Sequence, residues 1–210
     1  MKRAAFIDVD GTLTTGISSW ERVHHHFNLQ DKMKEHSKKF FAGEINYKQW
    51  ALLDVGLWKG KSKAEIEEAV TPPSMIAGAK EGISLLRNFG YDIILVSGGI
   101  NLMVDEVAKI VGADAAYSNI IGFTDDRVDG SVQVEVDVKS KVISKVVKEQ
   151  GYDLASSIAV GDHINDLEMF QMLGKAFAVN PKTDDILPYA EKVIHADNFS
   201  EVATQILNHQ

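Results

Sequence analysis

Two aspartates near the start of the chain, Asp8 and Asp10, are spaced for shared chemistry. They follow the apolar run Ala4–Ile7 in the segment Asp8-Val9-Asp10-Gly11-Thr12. Side chains two residues apart point the same way in an extended backbone, so both carboxylates are expected at one site. Such a pair resists joint ionisation unless a cation lies between the two groups or one keeps its proton. It suits a nucleophile beside a metal ion and an acid that protonates the leaving oxygen, although an Asx-turn loop explains the segment taken alone.

Two further features suit phosphate. Ser97-Gly98-Gly99 follows an apolar run and offers a hydroxyl and unobstructed backbone amides, which is typical of a phosphate-binding turn before a helix. Lys139 lies near the start of a predicted helix and would act as a point charge on phosphate, although most lysines are solvated surface charges.

A third acidic segment, Gly161-Asp162-His163-Ile164-Asn165-Asp166, follows another apolar run. If a helix begins here, Asp162 and Asp166 are four residues apart and face the same site. Carboxylate oxygens are the ligands that Mg2+ prefers, so the segment predicts a metal site. Helix capping by Asp162 is the alternative interpretation, and it is compatible with metal binding.

The elements that must position these residues alternate along the chain. Short apolar runs separated by helical patterns predict strands buried on both faces of a parallel sheet, and therefore a doubly wound, Rossmann-like α/β fold. The predicted strands are Ala4–Ile7, Ile93–Val96, Ile158–Val160, Ala176–Val179 and Lys192–Ile194. The predicted helices are Gly78–Phe89, Leu102–Val111, Lys139–Glu149, Asp166–Leu173 and Phe199–Leu207. The acidic and phosphate-binding segments all fall where predicted parallel strands end, which is where open α/β sheets bind ligands.

Two stretches interrupt this alternation. Residues 16–73 contain only helical patterns, with predicted helix starts at Asp31, Asn46 and a capping box from Ser62, and they predict a small cap over the strand ends. The remaining residues, 1–15 and 74–210, would form the core domain. Within the core, Val128-Asp129-Gly130 predicts the turn of a β-hairpin that ends before Lys139.

Composition restricts the partners. The formal net charge is -8 and no basic run dominates, which argues against nucleic acid. No apolar run is long enough to cross a membrane, and with 0 cysteines the chain has neither disulfides nor thiolate metal sites. We expect a cytoplasmic protein that acts on a small molecule; the oligomeric state is not indicated.

Taken together, the motifs resemble those of the haloacid dehalogenase superfamily, and most closely its phosphoserine-phosphatase-like branch. The matching residues are Asp8-Val9-Asp10-Gly11-Thr12, Ser97, Lys139 and Gly161-Asp162 with Asn165-Asp166. The hairpin and the helical cap fit the same branch, and the resemblance covers nearly the whole chain. It implies a Mg2+-dependent phosphatase that hydrolyses a small phosphorylated metabolite through an aspartyl-phosphate.

The resemblance also implies a role for each matching residue. Asp8 would be the nucleophile and Asp10 the general acid and base. Mg2+ would be bound by Asp8, by Asp162 and by the backbone carbonyl of Asp10, with Asp166 behind these ligands. The groups that would hold the phosphoryl oxygens belong to Ser97, Gly98, Lys139 and Asn165.

The cap departs from the pattern of that branch. Phosphoserine phosphatases grip their substrate with a cap glutamate and a cap arginine, whereas here no acid precedes Glu21 after the first motif and Arg22 is the only arginine of residues 16–73. We therefore expect a substrate other than phosphoserine. The cap aromatics would favour a less polar leaving group unless they form only a small helical core; they are Trp20, Phe40, Phe41, Trp50 and Trp58. His24-His25-His26 are expected at the cap surface, because consecutive helical side chains splay too far apart to share one ion.

Other functions stay open at this point. A phosphotransferase or phosphomutase would share the site, because only the access of water to the phosphorylated Asp8 separates it from a hydrolase. A receiver-type phospho-acceptor domain would be shorter and would lack a cap. A non-catalytic phospho-ligand-binding protein would typically have lost Asp8 or Asp10.

Overall fold

A seven-stranded sheet forms the centre of the protein in the computed structural model, which describes residues 2–209. The strands are β1 (Ala4–Ile7), β2 (Asp92–Ile100), β3 (Ala115–Thr124), β4 (Arg127–Gln133), β5 (Ile158–Gly161), β6 (Lys175–Val179) and β7 (Lys192–Ile194). Their order is β4-β3-β2-β1-β5-β6-β7, and every neighbouring pair is parallel except β3 and β4. The strand order reverses between β1 and β5, which makes the carboxyl ends of these strands the expected ligand crevice.

Helices cover both faces of this sheet. They are α1 (Ser19–His26), α2 (Gln30–Phe41), α3 (Tyr47–Trp58), α4 (Lys63–Val70), α5 (Ala79–Asn88), α6 (Asn101–Val111), α7 (Lys139–Gln150), α8 (Leu167–Met172) and α9 (Phe199–Leu207), with 3-10 turns at Ile164–Asp166 and Asp184–Tyr189. None of the helices within residues 2–209 has both the length and the apolar character that crossing a bilayer requires.

Strand β1 shows why both faces are covered. Ala5 and Ile7 belong to a core with α5, α6 and α9, whereas Ala4 and Phe6 belong to a second core with α7 and α8. All of these side chains are buried, since alternate residues of a strand point to opposite faces. The doubly wound α/β fold expected from the apolar runs is therefore confirmed.

The hairpin is present, but its predicted turn is wrong. Val128, Asp129 and Gly130 lie inside β4, and the chain turns instead at Asp125 and Asp126. Both aspartates have positive φ values, 50° and 58°, as the tight turns that match strand twist require. Gly130 does not precede β4 but lies within it, where the pairing with β3 is irregular. Glycine inside a strand often marks such a place.

Helices α1 to α4 form a helical insertion between β1 and α5. Capping boxes are present at Asn46 and Ser62, but α2 begins at Gln30, so its N-cap is Leu29 rather than the expected Asp31. The loop after α3 pairs with the hairpin, because Gly60 N donates to Val128 O at 2.8 Å and Val128 N donates to Lys61 O at 2.8 Å. Backbone hydrogen bonds thus join the insertion to β4, the strand at one edge of the sheet.

Candidate active site

The carboxylate of Asp8 lies directly beyond the end of β1, where it is 3% exposed. Its backbone N–H donates to Val160 O at 2.9 Å, which ties the end of β1 to β5. Lys139, the first residue of α7, reaches the same point and donates to Asp8 Oδ1. The two residues are 131 positions apart in the chain, so only the fold brings them together.

Lys139 also donates to Asp166 Oδ1 at 2.6 Å. The other oxygen of Asp166 accepts from the backbone N–H groups of Asp162 and His163, at 2.9 and 3.0 Å. Asp166 therefore organises the turn after β5 and aims Asp162 at Asp8. The capping role that the sequence offered for Asp162 is filled by His163, and Asp166 completes the capping box from the third position of the 3-10 turn.

Asp162 is fully buried and has two further partners. Thr12 Oγ1 donates to Asp162 Oδ1 at 3.3 Å, and Lys182 Nζ lies 3.0 Å from Asp162 Oδ2. Sequence reasoning missed Lys182, although it follows β6 in the turn Asn180-Pro181-Lys182. The signal for it was the position, because that turn also lies at the carboxyl end of a parallel strand.

This cluster fits a divalent cation. Asp8, Asp162 and Asp166 each offer an oxygen within 4.8 Å of the others, and all three are buried. Asp10 adds a fourth carboxylate, whose Oδ1 is buried without a hydrogen-bond partner. The ammonium groups facing these acids within residues 2–209 are those of Lys139 and Lys182, so negative charge exceeds positive charge. Hard oxygen ligands with surplus negative charge are what Mg2+ binds.

The pKa values of the clustered acids reflect the same excess of negative charge. Desolvation raises the pKa of Asp8 well above its usual range, and the Asp166 and Asp162 carboxylates add to the rise against the opposing effect of Lys139. Desolvation also raises the pKa of Asp10 and of Asp162. For Lys139, the attraction of Asp166 and Asp8 outweighs desolvation and raises the pKa of the ammonium group, which stays charged.

Asp10 is held by the helical insertion. Ser19, the first residue of α1, donates from Oγ to Asp10 Oδ2 at 3.0 Å, and its own Oγ accepts from Ile100 N at 3.1 Å. Gly99 makes this approach possible, because a Cβ there would lie 2.6 Å from Ser19 Oγ and 2.7 Å from Asp10 Oδ2. Gly11 is needed in the same way: its φ is 99°, and a Cβ would overlap Asp162 Oδ2 and Lys182 Nζ.

Ser97 and Gly98 lie inside β2 rather than after it, where the pairing of β2 with β3 is irregular. Ser97 is fully buried, and its Oγ accepts from Gly99 N at 3.0 Å. The carbonyl of Gly98 accepts from Trp20 Nε1, Tyr47 Oη and Asn119 Nδ2 at 2.9, 2.9 and 2.8 Å. Trp20 and Tyr47 belong to the insertion, so these bonds join it to the strand that carries Ser97.

An open cavity of about 370 Å³ connects these groups. Its walls include every residue expected at the site except the buried Asp162 and Asp166, namely Asp8, Asp10, Ser97, Gly98, Lys139 and Asn165. Asn165 and His163 are exposed on its rim. Away from the cavity, His25 and His26 are at the surface as expected, but His24 is fully buried and its Nδ1 lies 2.8 Å from Trp20 O.

A doubly wound sheet that gathers carboxylates, a lysine and a serine at its strand ends defines a class of phosphoryl-handling enzymes, and comparison with known proteins narrows it. Residues 2–174 match the family model of haloacid dehalogenase-like hydrolases, and the chain belongs to that family. Together with its relatives, this identifies the protein as a phosphatase, that is, a phosphoric monoester hydrolase.

The relatives include phosphoserine phosphatases. The chain is 29% identical over 185 residues to the phosphoserine phosphatase of Methanocaldococcus jannaschii, which covers 86% of this chain and 87% of that protein. It is 30% identical over 165 residues to that of Haemophilus influenzae, but there the match covers 76% of this chain and only 51% of the relative. A structure of a phospho-aspartyl intermediate analogue of phosphoserine phosphatase superposes with a TM-score of 0.83 and 27% identity, over 97% of this chain and 98% of the other.

Proposed function

We propose that this phosphatase depends on Mg2+ and hydrolyses a small phosphorylated metabolite through an aspartyl-phosphate on Asp8. The observation that carries the proposal is the buried carboxylate of Asp8, paired with Lys139 and open to the active-site cavity. A carboxylate held by a single ammonium group keeps a free oxygen for in-line attack on phosphorus. Likeness to a phospho-aspartyl intermediate analogue supports the same nucleophile.

The proposed metal ligands are Asp8, Asp162 and the backbone carbonyl of Asp10. The surplus negative charge of the buried cluster supports a cation here. When bound, Mg2+ would neutralise charge on the nucleophile and on the phosphoryl group. Asp166 would act indirectly, because its oxygens already bind Lys139 and the backbone of the turn after β5.

The phosphoryl oxygens are proposed to contact Ser97, the backbone N–H of Gly98, Lys139 and Asn165. Asp10 would protonate the leaving oxygen and then accept a proton from the attacking water. Its raised pKa suits the first step, since it favours the protonated form before the reaction. The bond from Ser19 fixes the Asp10 side chain, so the insertion takes part in positioning the acid.

We further propose that residues 16–73 form a cap domain over a core of residues 1–15 and 74–210. The bonds from Trp20 and Tyr47 to the Gly98 carbonyl support a closed position of this cap. Gly16 and the segment 71–74 are the proposed hinges. A closed cap would exclude bulk water, which strengthens the electrostatic interactions around the phosphoryl group.

Phosphoserine itself is a poor fit to this site. The ammonium and guanidinium groups that line the cavity within residues 2–209 are those of Lys139 and Lys182, and both are paired with the buried acids. A substrate carboxylate would therefore have no free cation to bind. The Gly98 carbonyl is already shared by three donors, so it has no lone pair left for a substrate amino group.

Phosphate release from a panel of phosphomonoesters, with Mg2+ and with EDTA, tests the proposal. We expect release that requires Mg2+ and is lost in Asp8→Asn, while Asp31→Asn, a change at an exposed position of α2, keeps full activity. Stable transfer of phosphate to an added alcohol instead of water would indicate a phosphotransferase. Release that persists in Asp8→Asn would refute Asp8 as the nucleophile.

A further inference from the structure

A second cavity of about 280 Å³ lies within the helical insertion and adjoins the active-site cavity. The two cavities share the walls formed by Ser18, Trp20, Glu21 and Tyr47. Beyond them, the second cavity, which we call the cap pocket, extends between α1, α2 and α3. A group that extends from the first cavity past these shared walls would enter this pocket.

Several polar groups at the mouth of the cap pocket are already bonded within the protein. Glu21 Oε2 accepts from the N–H and the hydroxyl of Ser18, both at 2.9 Å, in a capping box. Ser37 donates its hydroxyl to Lys34 O at 3.2 Å. Tyr47 donates to the Gly98 carbonyl and accepts from Asn119, at 2.9 and 3.0 Å.

The acid deepest in the pocket is also paired. Asp54 is 3% exposed, and its Oδ1 accepts from His36 Nδ1 at 2.6 Å. His24 Nε2 lies 3.6 Å from the same oxygen, and its Nδ1 is held by Trp20 O. The two histidines thus hold Oδ1 of the carboxylate inside the cap.

Most of the surface that remains for a ligand to contact is apolar, and Trp50 Nε1 is a donor without a partner among residues 2–209. The side chains of Met33, Phe41, Trp50 and Ala51 line the pocket. Trp50 is fixed by stacking on Phe40 at 4.6 Å and by an edge contact with Tyr47 at 6.2 Å. Phe41 is 79% exposed, an unusual state for a phenylalanine beside a pocket, and an apolar ligand would cover part of its ring.

We infer that the cap pocket binds the leaving group, and that the substrate is the phosphate ester of an uncharged alcohol with an apolar body about the size of an aromatic ring. This inference rests on the proposed phosphatase function. A cavity of roughly 150 Å³ lined by aliphatic and aromatic side chains is enough to hold benzene. The cap pocket is larger, at about 280 Å³, and no ammonium or guanidinium group of residues 2–209 lines it.

The test compares 2-phenylethyl phosphate, ethyl phosphate and O-phospho-L-serine. The two simple esters have leaving alcohols of similar basicity, so a difference in kcat/KM reports the contacts of the phenyl group. We expect kcat/KM for 2-phenylethyl phosphate to exceed that for either other ester by about tenfold or more, the lower end of what burial of a phenylalanine-sized group supplies.

Substitutions on α2 locate the effect. Ser37→Trp places a bulky ring in the pocket from a partly exposed position and should remove the phenyl preference. Lys38→Trp adds the same ring one residue further on, at an exposed position that does not line the pocket, and should keep the preference. Equal kcat/KM for the two simple esters, or a preference that survives in Ser37→Trp, would overturn the inference.

A binding measurement separates this inference from the proposed function. Calorimetric titration with 2-phenylethylphosphonate and ethylphosphonate needs no turnover. At least about tenfold tighter binding of the phenyl compound, lost in Ser37→Trp, supports the pocket even if no ester is hydrolysed. Equal binding overturns the pocket even if Mg2+-dependent hydrolysis is found.

Discussion

Replacing Lys139 by methionine tests the charge balance of the buried cluster. Lys139 is 3% exposed and bridges Asp8 and Asp166, which are 3% and 0% exposed. Methionine keeps most of the side-chain volume but removes the ammonium group. The carboxylates then face each other without a shared partner, which like charges in a buried site resist.

The expected cost follows from this burial. Breaking a buried ion pair by removing one partner typically lowers the free energy of unfolding by about 3 to 5 kcal/mol. Such a loss is a large part of the roughly 5 to 15 kcal/mol that stabilises an ordinary domain. Lys141→Met on the same helix is the matched control, because Lys141 is 65% exposed and pairs with Asp137 at the surface. Its loss should cost less than about 1 kcal/mol.

The measurement is urea unfolding in EDTA, so that no metal ion compensates for the lost charge. Without Lys139, the pKa of the Asp8 carboxyl rises further above its usual range, so the folded variant takes up a proton as the pH falls. The stability difference from wild type should therefore shrink as the pH falls through the raised pKa of Asp8 in the variant. A second substitution, Asp8→Asn in the Lys139→Met background, should restore at least half of the loss, since it removes one of the opposed charges.

Two results would refute this reasoning. One is an unfolding free energy of Lys139→Met that equals that of wild type at pH 7 in EDTA. The other is a double variant that is less stable than the single variant, because the carboxylates would then not repel each other. Either result would also weaken the argument that the cluster needs a cation.

Three further outcomes are expected. Gly82→Ala in α5 should lose about 1 to 3 kcal/mol of stability, because the new Cβ would overlap the backbone of Phe199; an unchanged urea midpoint would contradict this packing. Asp114→Asn should cost about 1 kcal/mol at pH 7, since Asp114 accepts from Arg87 and from Ile93 N. Despite desolvation, those bonds lower the pKa of Asp114, so its stabilisation should fade as the pH falls through that pKa; a constant difference from pH 7 to pH 3 would contradict it. Adding Mg2+ at 100 times its dissociation constant should stabilise the wild type by about 2.7 kcal/mol, and no shift of the unfolding midpoint in millimolar Mg2+ would argue against the metal site.

A matched control exists for the glycine substitution. Gly56 in α3 is also helical, but a Cβ there would meet nothing within 4 Å. Gly56→Ala should therefore stabilise the protein by up to about 1 kcal/mol through its helix propensity. Opposite signs for the two glycines would show that packing, rather than the backbone, decides the cost at Gly82.

Local patterns were sufficient to predict most of the fold. Strands buried on both faces have continuous apolar runs, and helix starts have side chains that bond their own first turn, so both features depend on neighbours in sequence. This is why β1, β5 and the helix starts at Asn46 and Ser62 were placed correctly. The parallel sheet then placed Asp8, Ser97 and Asp162 at one edge, because the carboxyl ends of parallel strands meet there.

Local patterns failed where two conformations compete within a few residues. Val128-Asp129-Gly130 and Asp125-Asp126 are both possible turns, and pairing of β4 with β3 and with the loop after α3 selects the second. The choice depends on which register buries Val128 and Val132, a property of the whole sheet rather than of the turn.

The sequence by itself determined the chemistry available to this protein, because the motif residues and their strand-end positions follow from local spacing. Only the tertiary structure decided which side chains from separate elements contact the motif residues and the cap. The pairing of Lys182 with Asp162, the closure of the insertion on the Gly98 carbonyl and the burial of Asp54 against His36 each join residues from separate elements. No spacing rule covers such contacts, since they depend on how the helices and the sheet pack in three dimensions.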